Sequence, residues 1–278
     1  MDPNTISVSR DGKWIVCGTV NGASVWDAEL QRKVVEVEGT NSVWAVDVSP
    51  ESTRFATGTA GKPSIWSMTT GERLVGPMEH TGGVKGIKFS PDGGRIATAC
   101  YDSIHIVDSY NGDLLITIDN PLAAHPVGMT PISWSSVGRL FAISQSDGGT
   151  SKIKSFDAST GSQLAEWQVH SHHSGVLMSI AANNRFIASS ADRSASFWDT
   201  LTHTELGSVQ LEDGDRIRCI ALSPDVTHLA TGGGSTNKTI TIWNLSDILP
   251  ESYLLITVST TFPMLGRPIT LVYQSTFL

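Results

Sequence analysis

The stretch that decides the fold is residues 79 to 118, which read EHTGGVKGIKFSPDGGRIATACYDSIHIVDSYNGDLLITI. It holds four short runs of alternating apolar and polar residues. Turns separate these runs, the first at Ser90-Pro91-Asp92-Gly93 and the last at Asn111-Gly112. Period-2 runs divided by Gly, Pro, Asn and Asp are typical of strands in an antiparallel meander, and Asn-Gly is a strong hairpin signal. The stretch therefore predicts a four-stranded sheet.

The same pattern is found in five further copies along the chain. Each copy closes on an aromatic or apolar residue followed by Asp, Asn or Ser. The closing pairs are Trp26-Asp27, Trp66-Ser67, Val107-Asp108, Phe156-Asp157, Trp198-Asp199 and Trp243-Asn244. The steps between them are 40, 41, 49, 42 and 45 residues. A period in this range indicates one supersecondary unit copied many times, each too small to bury its own apolar face.

Composition and charge exclude several classes of protein. Of the 278 residues, 40% are hydrophobic and 17% are charged, which is typical of a globular chain. Acidic side chains outnumber basic ones, 27 to 19, for a net charge of −8, so nucleic acid is not expected as a partner. The three scattered cysteines argue against a disulfide framework. No run reaches the roughly 18 to 20 apolar residues that a membrane span needs. We predict a cytoplasmic protein with no membrane partner.

The motifs resemble those of the WD-repeat family over about residues 6 to 250. They comprise the His-Thr-Gly entry at His80, the Ser-Pro-Asp-Gly turn at Ser90, the Asp102 turn, and the Trp-Asp ends at Trp26 and Trp198. The resemblance implies an all-β β-propeller built from four-stranded antiparallel blades around a central channel.

The C-terminal tail departs from the repeat pattern. We place the propeller in residues 1–251 and an atypical tail in residues 252–278, after six clear repeats. Two β-branched runs in the tail are strand-like, Leu254 to Thr260 and Ile269 to Tyr273. One could complete the outer strand of the sixth blade and the other could begin a partial seventh. Alternatively, the tail is foreign to the fold and loosely packed.

The resemblance also implies a structural brace inside each blade. In the family, His, Ser or Thr, Asp and Trp form a hydrogen-bonded chain across a blade. The positions that match are His80, Thr98 and Asp102 in the third copy, His125 and Asp147 in the fourth, and His172 (or His173), Asp192 and Trp198 in the fifth. Val107 and Phe156 stand where Trp is expected, and no copy holds the whole set. We therefore predict a propeller less rigidly braced than a consensus one.

No catalytic, cofactor-binding or metal-binding residue is predicted. A Ser-His-Asp grouping suggests a hydrolase, but the same spacing in several copies is typical of a brace, and no Gly-x-Ser-x-Gly elbow is present. The His-rich run at residues 170–173 suggests zinc or nickel, and the acidic group at residues 212–215 suggests calcium. Solvated loops between blades explain both segments without a metal.

The leading hypothesis is a non-enzymatic scaffold that assembles other proteins through its top rim and loops. An aromatic residue and several cations fall on the expected rim, where Trp, Tyr and Arg are favoured anchors for proteins. These residues are Trp44, Lys85, Tyr101, Arg193 and Arg218. Ordinary solvated loop residues are the alternative for each. The chain is predicted to be a monomer unless the ring is incompletely closed. Two other functions stay open: a ligand-sensing repeat region of a larger signalling NTPase, and a hydrolase or lyase with a central-channel site.

Overall fold

A computed structural model of the chain describes twelve segments, residues 5–38, 41–60, 62–80, 82–100, 102–119, 132–145, 151–170, 180–183, 185–211, 216–223, 225–233 and 240–254. It divides into two compact units, Met1–Gly175 and Val176–Leu278. Each unit is built from antiparallel sheets whose strands follow one another in chain order.

The first unit contains four sheets of four strands. Sheet 1 is β1 (Thr5–Val8), β2 (Trp14–Thr19), β3 (Gly22–Asp27) and β4 (Arg32–Glu38). Sheet 2 is β5 (Ala45–Val48), β6 (Arg54–Gly58), β7 (Ser64–Ser67) and β8 (Arg73–Val75). Sheet 3 is β9 (Gly86–Phe89), β10 (Arg95–Ala99), β11 (Ser103–Asp108) and β12 (Leu114–Asp119). Sheet 4 is β13 (Ile132–Trp134), β14 (Arg139–Gln145), β15 (Ser151–Asp157) and β16 (Gln163–His170).

The second unit contains two sheets. Sheet 5 is β17 (Ile180–Ala182), β18 (Phe186–Ala191), β19 (Ser194–Asp199) and β20 (Glu205–Gln210). Sheet 6 is β21 (Ile217–Leu222), β22 (His228–Gly233) and β23 (Ile240–Asn244). The six predicted repeats are confirmed, each as one sheet.

The turns form where the sequence places them, for local reasons. Gly93 and Gly112 adopt φ of 73° and 82°, a left-handed conformation that glycine tolerates without steric cost. In three copies the turn serine donates a hydrogen bond of 2.6 Å to the aspartate two residues later. These pairs are Ser9–Asp11, Ser90–Asp92 and Ser223–Asp225. Such side-chain bonds stabilise a turn against competing extended conformations.

The core lies between neighbouring sheets. Ile104 and Ile106 of sheet 3 pack with Leu140 and Trp134 of sheet 4. Sheets 1 and 2 share a second cluster and sheets 5 and 6 a third. Within each unit, a sheet thus buries its apolar face by stacking on a neighbouring sheet, as the repeat length predicts.

The sixth sheet differs from the prediction of four strands, since its described part has three. After β23 the chain forms a 3-10 turn at Leu245–Asp247 and a short helix α1, Glu251–Leu254. Leu245 and Leu249 are buried in the cluster between sheets 5 and 6. The apolar side chains of this segment therefore hold the chain against sheet 5 at the point where the other copies begin a fourth strand. The predicted runs beyond residue 254 lie outside the described residues.

Candidate protein-interaction surface

Two of the predicted rim residues lie together at one end of sheets 2 and 3. The backbone N–H of Trp44, just before β5, donates to the carbonyl of Gly58 at 2.9 Å. The backbone N–H of Lys85, just before β9, donates to the carbonyl of Ala99 at 3.0 Å. The Lys85 ammonium lies 5.7 Å from the centre of the Trp44 ring, within cation–π range. Both side chains are half-buried, so part of each is available to a partner.

Gly83 completes this group and was not predicted. A β carbon at position 83 would lie 2.4 Å from Cζ3 of Trp44, so the ring rests directly against the glycine backbone. Any larger residue would have to displace the indole. The Gly82-Gly83 pair in the sequence is the signal that could have indicated a close approach. We call Trp44, Gly83 and Lys85 the rim patch.

A stacked histidine pair lies on sheet 3 near the rim patch. The rings of His80 and His105 are 3.9 Å apart and inclined by 17°. Among the described residues, neither ring nitrogen of His80 has a hydrogen-bond partner. Burial lowers the pKa of His80, against the opposing effects of the Thr98 backbone and the Asp102 carboxylate. Burial, and then the charge of His80, lower the pKa of His105. Both lowered pKa values favour the neutral, unprotonated form of the two imidazole rings.

The hydrogen-bonded chain expected from His80, Thr98 and Asp102 takes a different form. The Asp102 carboxylate accepts hydrogen bonds from the Ser103 hydroxyl at 2.9 Å and the Cys100 thiol at 2.8 Å. The Thr98 hydroxyl donates to the His105 carbonyl at 3.5 Å. The physical reason is Val107, which has no side-chain N–H to donate to Thr98. The stacking of His80 on His105 replaces the expected chain in this sheet.

The tryptophan part of the brace is formed in three other sheets. In each, the indole N–H donates to a hydroxyl on the preceding strand, at 2.9 to 3.0 Å. The pairs are Trp66 with Thr57, Trp198 with Ser189, and Trp243 with Thr231. The sequence analysis placed Trp198 in a brace but missed all three hydroxyl partners. The repeated nine-residue spacing of the first two pairs is the signal that could have found them.

Sheet 1 lacks this contact. Cys17 occupies the register position that Thr57 holds in sheet 2. The Trp26 indole donates instead to Ser24 on its own strand at 2.9 Å, and the residue is 38% exposed. A thiol is a weaker acceptor than a hydroxyl, which accounts for the difference.

In the second unit, Asp192 and Arg193 form the turn between β18 and β19. The Asp192 carboxylate pairs with the guanidinium of Arg216 at 3.1 Å, and its carbonyl accepts from the backbone of Ile217 at 2.6 Å. The Arg193 carbonyl accepts from the backbone of Leu211 at 2.9 Å. Arg218 lies in β21.

Several predicted residues cannot be placed. Tyr101, His125, Asp147 and His172 lie outside the described residues, as do most of the His-rich run and the acidic group at 212–215. The brace and rim roles assigned to them stay predictions.

An ion pair between the buried Asp47 and the partly exposed Lys88, also missed by the sequence analysis, ties the first strands of sheets 2 and 3 together. The buried Asp47 carboxylate accepts from the Lys88 ammonium at 2.6 Å and from the Phe89 backbone at 2.9 Å. The Ser7 hydroxyl of sheet 1 lies 3.4 Å away. Pairing compensates the cost of burying the carboxylate. It also fixes the spacing of the strands that follow Trp44 and Lys85.

Among the described residues, no three His, Cys, Asp or Glu side chains come close enough to hold a metal ion. A groove of about 470 Å³ between sheets 3 and 4 is lined by Arg95, Trp134, Arg139 and Asp157 among others. Within the same residues, no helix has the length and apolar character needed to cross a membrane.

Comparison with protein families gives repeat matches at three places. The model of the family described as "WD domain, G-beta repeat" matches residues 73–107, 161–199 and 205–244. These ranges cover parts of sheets 2 and 3, sheets 4 and 5, and sheets 5 and 6.

Three similar curated proteins carry the same name. The eukaryotic translation initiation factor 3 subunit I of Emericella nidulans is 27% identical over 254 residues, covering 86% of this chain and 74% of the relative. That of Aspergillus terreus is 28% identical, covering 84% and 70%. That of Vanderwaltozyma polyspora is 24% identical, covering 85% and 72%.

Solved structures share the fold. The β-propeller domain of Cps50 (Swd1) from Myceliophteria thermophila has a TM-score of 0.72 at 17% identity, covering 89% of this chain and 85% of that one. Kuenenia stuttgartiensis hydrazine synthase has a TM-score of 0.72 at 16% identity, covering 88% and 77%. The predicted fold class, an all-β propeller, is confirmed. One of these two neighbours is an enzyme by name, so the fold alone does not decide between scaffold and catalyst.

Proposed function

The chain is a WD-repeat protein, and we propose that it is a non-enzymatic scaffold subunit of a translation initiation complex in the cytoplasm. The observation that carries this proposal is the alignment with initiation factor 3 subunit I over 84 to 86% of the chain. The word "subunit" in the name of those relatives means that they assemble with other chains. We infer that this propeller likewise assembles with other chains and acts as a scaffold.

The rim patch supports protein binding as the mode of action. Hydrogen bonds hold the backbones of Trp44 and Lys85 at the starts of two strands, and the ammonium lies over the indole, so the two residues form a preorganised surface. A partner therefore meets side chains whose positions are already set, and less conformational entropy is lost on binding. Trp is also a frequent hot-spot residue in protein interfaces.

The test is co-purification from the organism that makes the chain. The tagged full chain is recovered from cytosol, and the other subunits of initiation factor 3 are quantified by mass spectrometry. We expect these subunits in the eluate. Lys85→Glu, which reverses the charge over the indole, should lower their recovery several-fold. Val137→Glu introduces the same side chain at an exposed turn of sheet 4 and should leave the recovery unchanged.

Two outcomes would count against the proposal. Recovery of the chain without initiation factor 3 subunits would reject the complex. Equal loss with Lys85→Glu and Val137→Glu would keep the complex but reject the rim patch as the contact. The two alternatives from the sequence, a sensing region of a larger NTPase and a channel-site enzyme, stay predictions.

A further inference from the structure

The rim patch continues into sheet 1 as an apolar surface. The backbone N–H of Val43 donates to the carbonyl of Thr19, at the end of β2, at 2.8 Å. Trp44 is the next residue and therefore lies beside the turn between β2 and β3. The side chain of Val20 in that turn is 54% exposed. Val20 and the half-buried indole thus offer apolar surface at the same end of neighbouring sheets.

Towards sheet 3 the same rim is basic. The backbone N–H of Val84 donates to the carbonyl of Thr59 at 2.8 Å, so Lys85 lies beside the turn between β6 and β7. Lys62 is an exposed residue of that turn. Its carbonyl accepts a hydrogen bond from the Thr59 hydroxyl at 3.0 Å, which fixes the turn. Two ammonium groups therefore lie where sheets 2 and 3 meet.

These two lysines give the rim a local positive excess. Asp102 is the one acidic residue in the described parts of the turns after β2, β6 and β10 and of the segments just before β5 and β9. Its carboxylate already accepts two hydrogen bonds within sheet 3. Glu38 and Asp119 end fourth strands, which form the opposite edge of their sheets from the first strands. Glu79, between β8 and β9, is exposed and forms no ion pair within the described residues.

A ligand for this surface combines an apolar group with negative charge. A peptide segment with a large apolar side chain beside Asp or Glu has both properties. Ions in solution screen exposed charges over about 10 Å, so a short acidic segment responds mainly to the two lysines. An RNA strand also carries negative charge, but it extends past the rim, where the chain's net charge of −8 opposes it.

We propose that the rim patch, together with Val20 and Lys62, binds an acidic peptide segment of a partner protein. An apolar side chain of the segment packs against Trp44 and Val20, and neighbouring carboxylates pair with Lys62 and Lys85. The apolar contact contributes most of the affinity, and the lysines contribute to specificity and to the rate of association. This inference rests on the proposed function, because it names the class of partner segment that the rim patch receives.

The first test identifies the segment by photocrosslinking. Benzoylphenylalanine replaces Val20 in the tagged full chain, which is irradiated in cytosol of the organism that makes it, and mass spectrometry identifies the linked peptide. We expect a peptide of another protein in which Asp and Glu outnumber Lys and Arg. Adding Lys62→Glu should lower the yield of this product several-fold. The same probe at Val137, in an exposed turn of sheet 4, is the control and should not link to that peptide.

The possible products separate this inference from the proposed function. An acidic peptide from an initiation factor 3 subunit would support both. An acidic peptide from a different protein, with the same dependence on Lys62, would reject the initiation complex and keep the acidic segment. A neutral or basic peptide, an RNA product or no product would overturn this inference, and co-purification would still decide on the complex.

A second test measures the role of charge without a photoreactive group. Lys62→Glu and Lys62→Arg are compared in the co-purification experiment at increasing salt concentrations. Because Lys62 is exposed, neither change should affect folding. Recovery of the partner should fall several-fold with Lys62→Glu and stay close to the wild-type value with Lys62→Arg, and it should depend less on salt in Lys62→Glu. Equal recovery with the two variants would overturn the proposal.

Discussion

At the scale of single residues, the stacked pair of His80 and His105 makes stability depend on pH. The pKa of each lies below the ordinary value of 6.5, with burial as the leading cause. As the pH falls below about 6.5, the unfolded chain therefore binds protons before the folded chain does. The free energy of unfolding is highest above that pH and falls below it. We expect the urea midpoint to drop between about pH 7 and pH 5.

Removing one ring of the pair isolates this effect. His105→Gln should flatten the pH dependence of the urea midpoint over this range, because glutamine cannot take up a proton. The hydrogen bond from the Ser90 hydroxyl is the main cause that lowers the pKa of Asp92. Carboxylates of this kind change the stability only at more acid pH. If the urea midpoint depends on pH equally in the wild type and in His105→Gln, the histidine stack is not the source of that dependence.

The indole hydrogen bonds make a second prediction at this scale. Trp66→Phe removes the donor to Thr57 and leaves a buried hydroxyl without its partner. Such a loss costs about 1 to 3 kcal/mol in the free energy of unfolding. Trp26→Phe is the matched control, because that ring is partly exposed and bonds only its own strand. Denaturant unfolding should show the larger loss for Trp66→Phe, and equal losses would contradict a bracing role.

Single-residue contacts could be predicted where the repeat itself carries them. Trp44 and Lys85 were assigned to the rim from their phase in the repeat, and the structure brings them together. The stack of His105 on His80 and the pairing of Asp47 with Lys88 each occur once in the part of the chain that the structure describes, so no repeated spacing reports them. Both contacts depend on which side chains the strand register places opposite each other, and the register becomes known only from the structure.

At the scale of elements, the strands followed from alternation and turn residues. The third copy forms the four predicted strands, because Gly93 and Gly112 lie in the predicted turns between them. The sixth copy differed after Asn244. There the apolar residues Leu245 and Leu249 pack into the core instead of alternating along a strand. Their spacing of four residues is typical of a helical turn. The repeat pattern predicted a strand there instead, and it was given more weight than this spacing.

A buried arginine holds two elements together and gives a third prediction. Arg54 of sheet 2 donates to the carbonyls of Ser109 and Gly93 on sheet 3, at 2.9 and 3.0 Å, and pairs with Glu51. Its guanidinium also lies 4.3 Å from the ring centre of Tyr110. Lysine keeps the charge but cannot form this fork. Arg54→Lys should therefore lower the free energy of unfolding by about 1.5 to 3 kcal/mol.

Arg95 provides the matched control for that change. It starts the equivalent strand of sheet 3 and donates to the carbonyl of Ala158 on sheet 4 at 2.9 Å. It is less buried than Arg54. Arg95→Lys should give a clearly smaller loss in the same urea experiment. If both substitutions cost the same, the extra contacts of Arg54 contribute nothing to holding sheets 2 and 3 together.

At the scale of the whole molecule, the sequence predicts architecture better than assembly. The period of forty-odd residues specifies a propeller because each copy must stack to bury its face, and the structural neighbours confirm that fold. Partner choice depends on the particular side chains at the rim, such as Trp44 and Lys85. The repeat places these positions at the rim but does not determine what they bind, so the partner stayed open.

The net charge of −8 leads to a final prediction about how such a scaffold acts. Non-specific RNA binding depends on basic side chains that neutralise phosphates, and typical dissociation constants at physiological salt are about 10⁻⁴ to 10⁻⁶ M. An acidic chain should bind a labelled RNA oligonucleotide more weakly than about 10⁻⁴ M, as measured by fluorescence anisotropy. Binding in the micromolar range that weakens steeply with salt would contradict this. Repeating the titration with Lys85→Glu would then show whether the rim patch supplies the contact, and a role through protein partners alone would no longer hold.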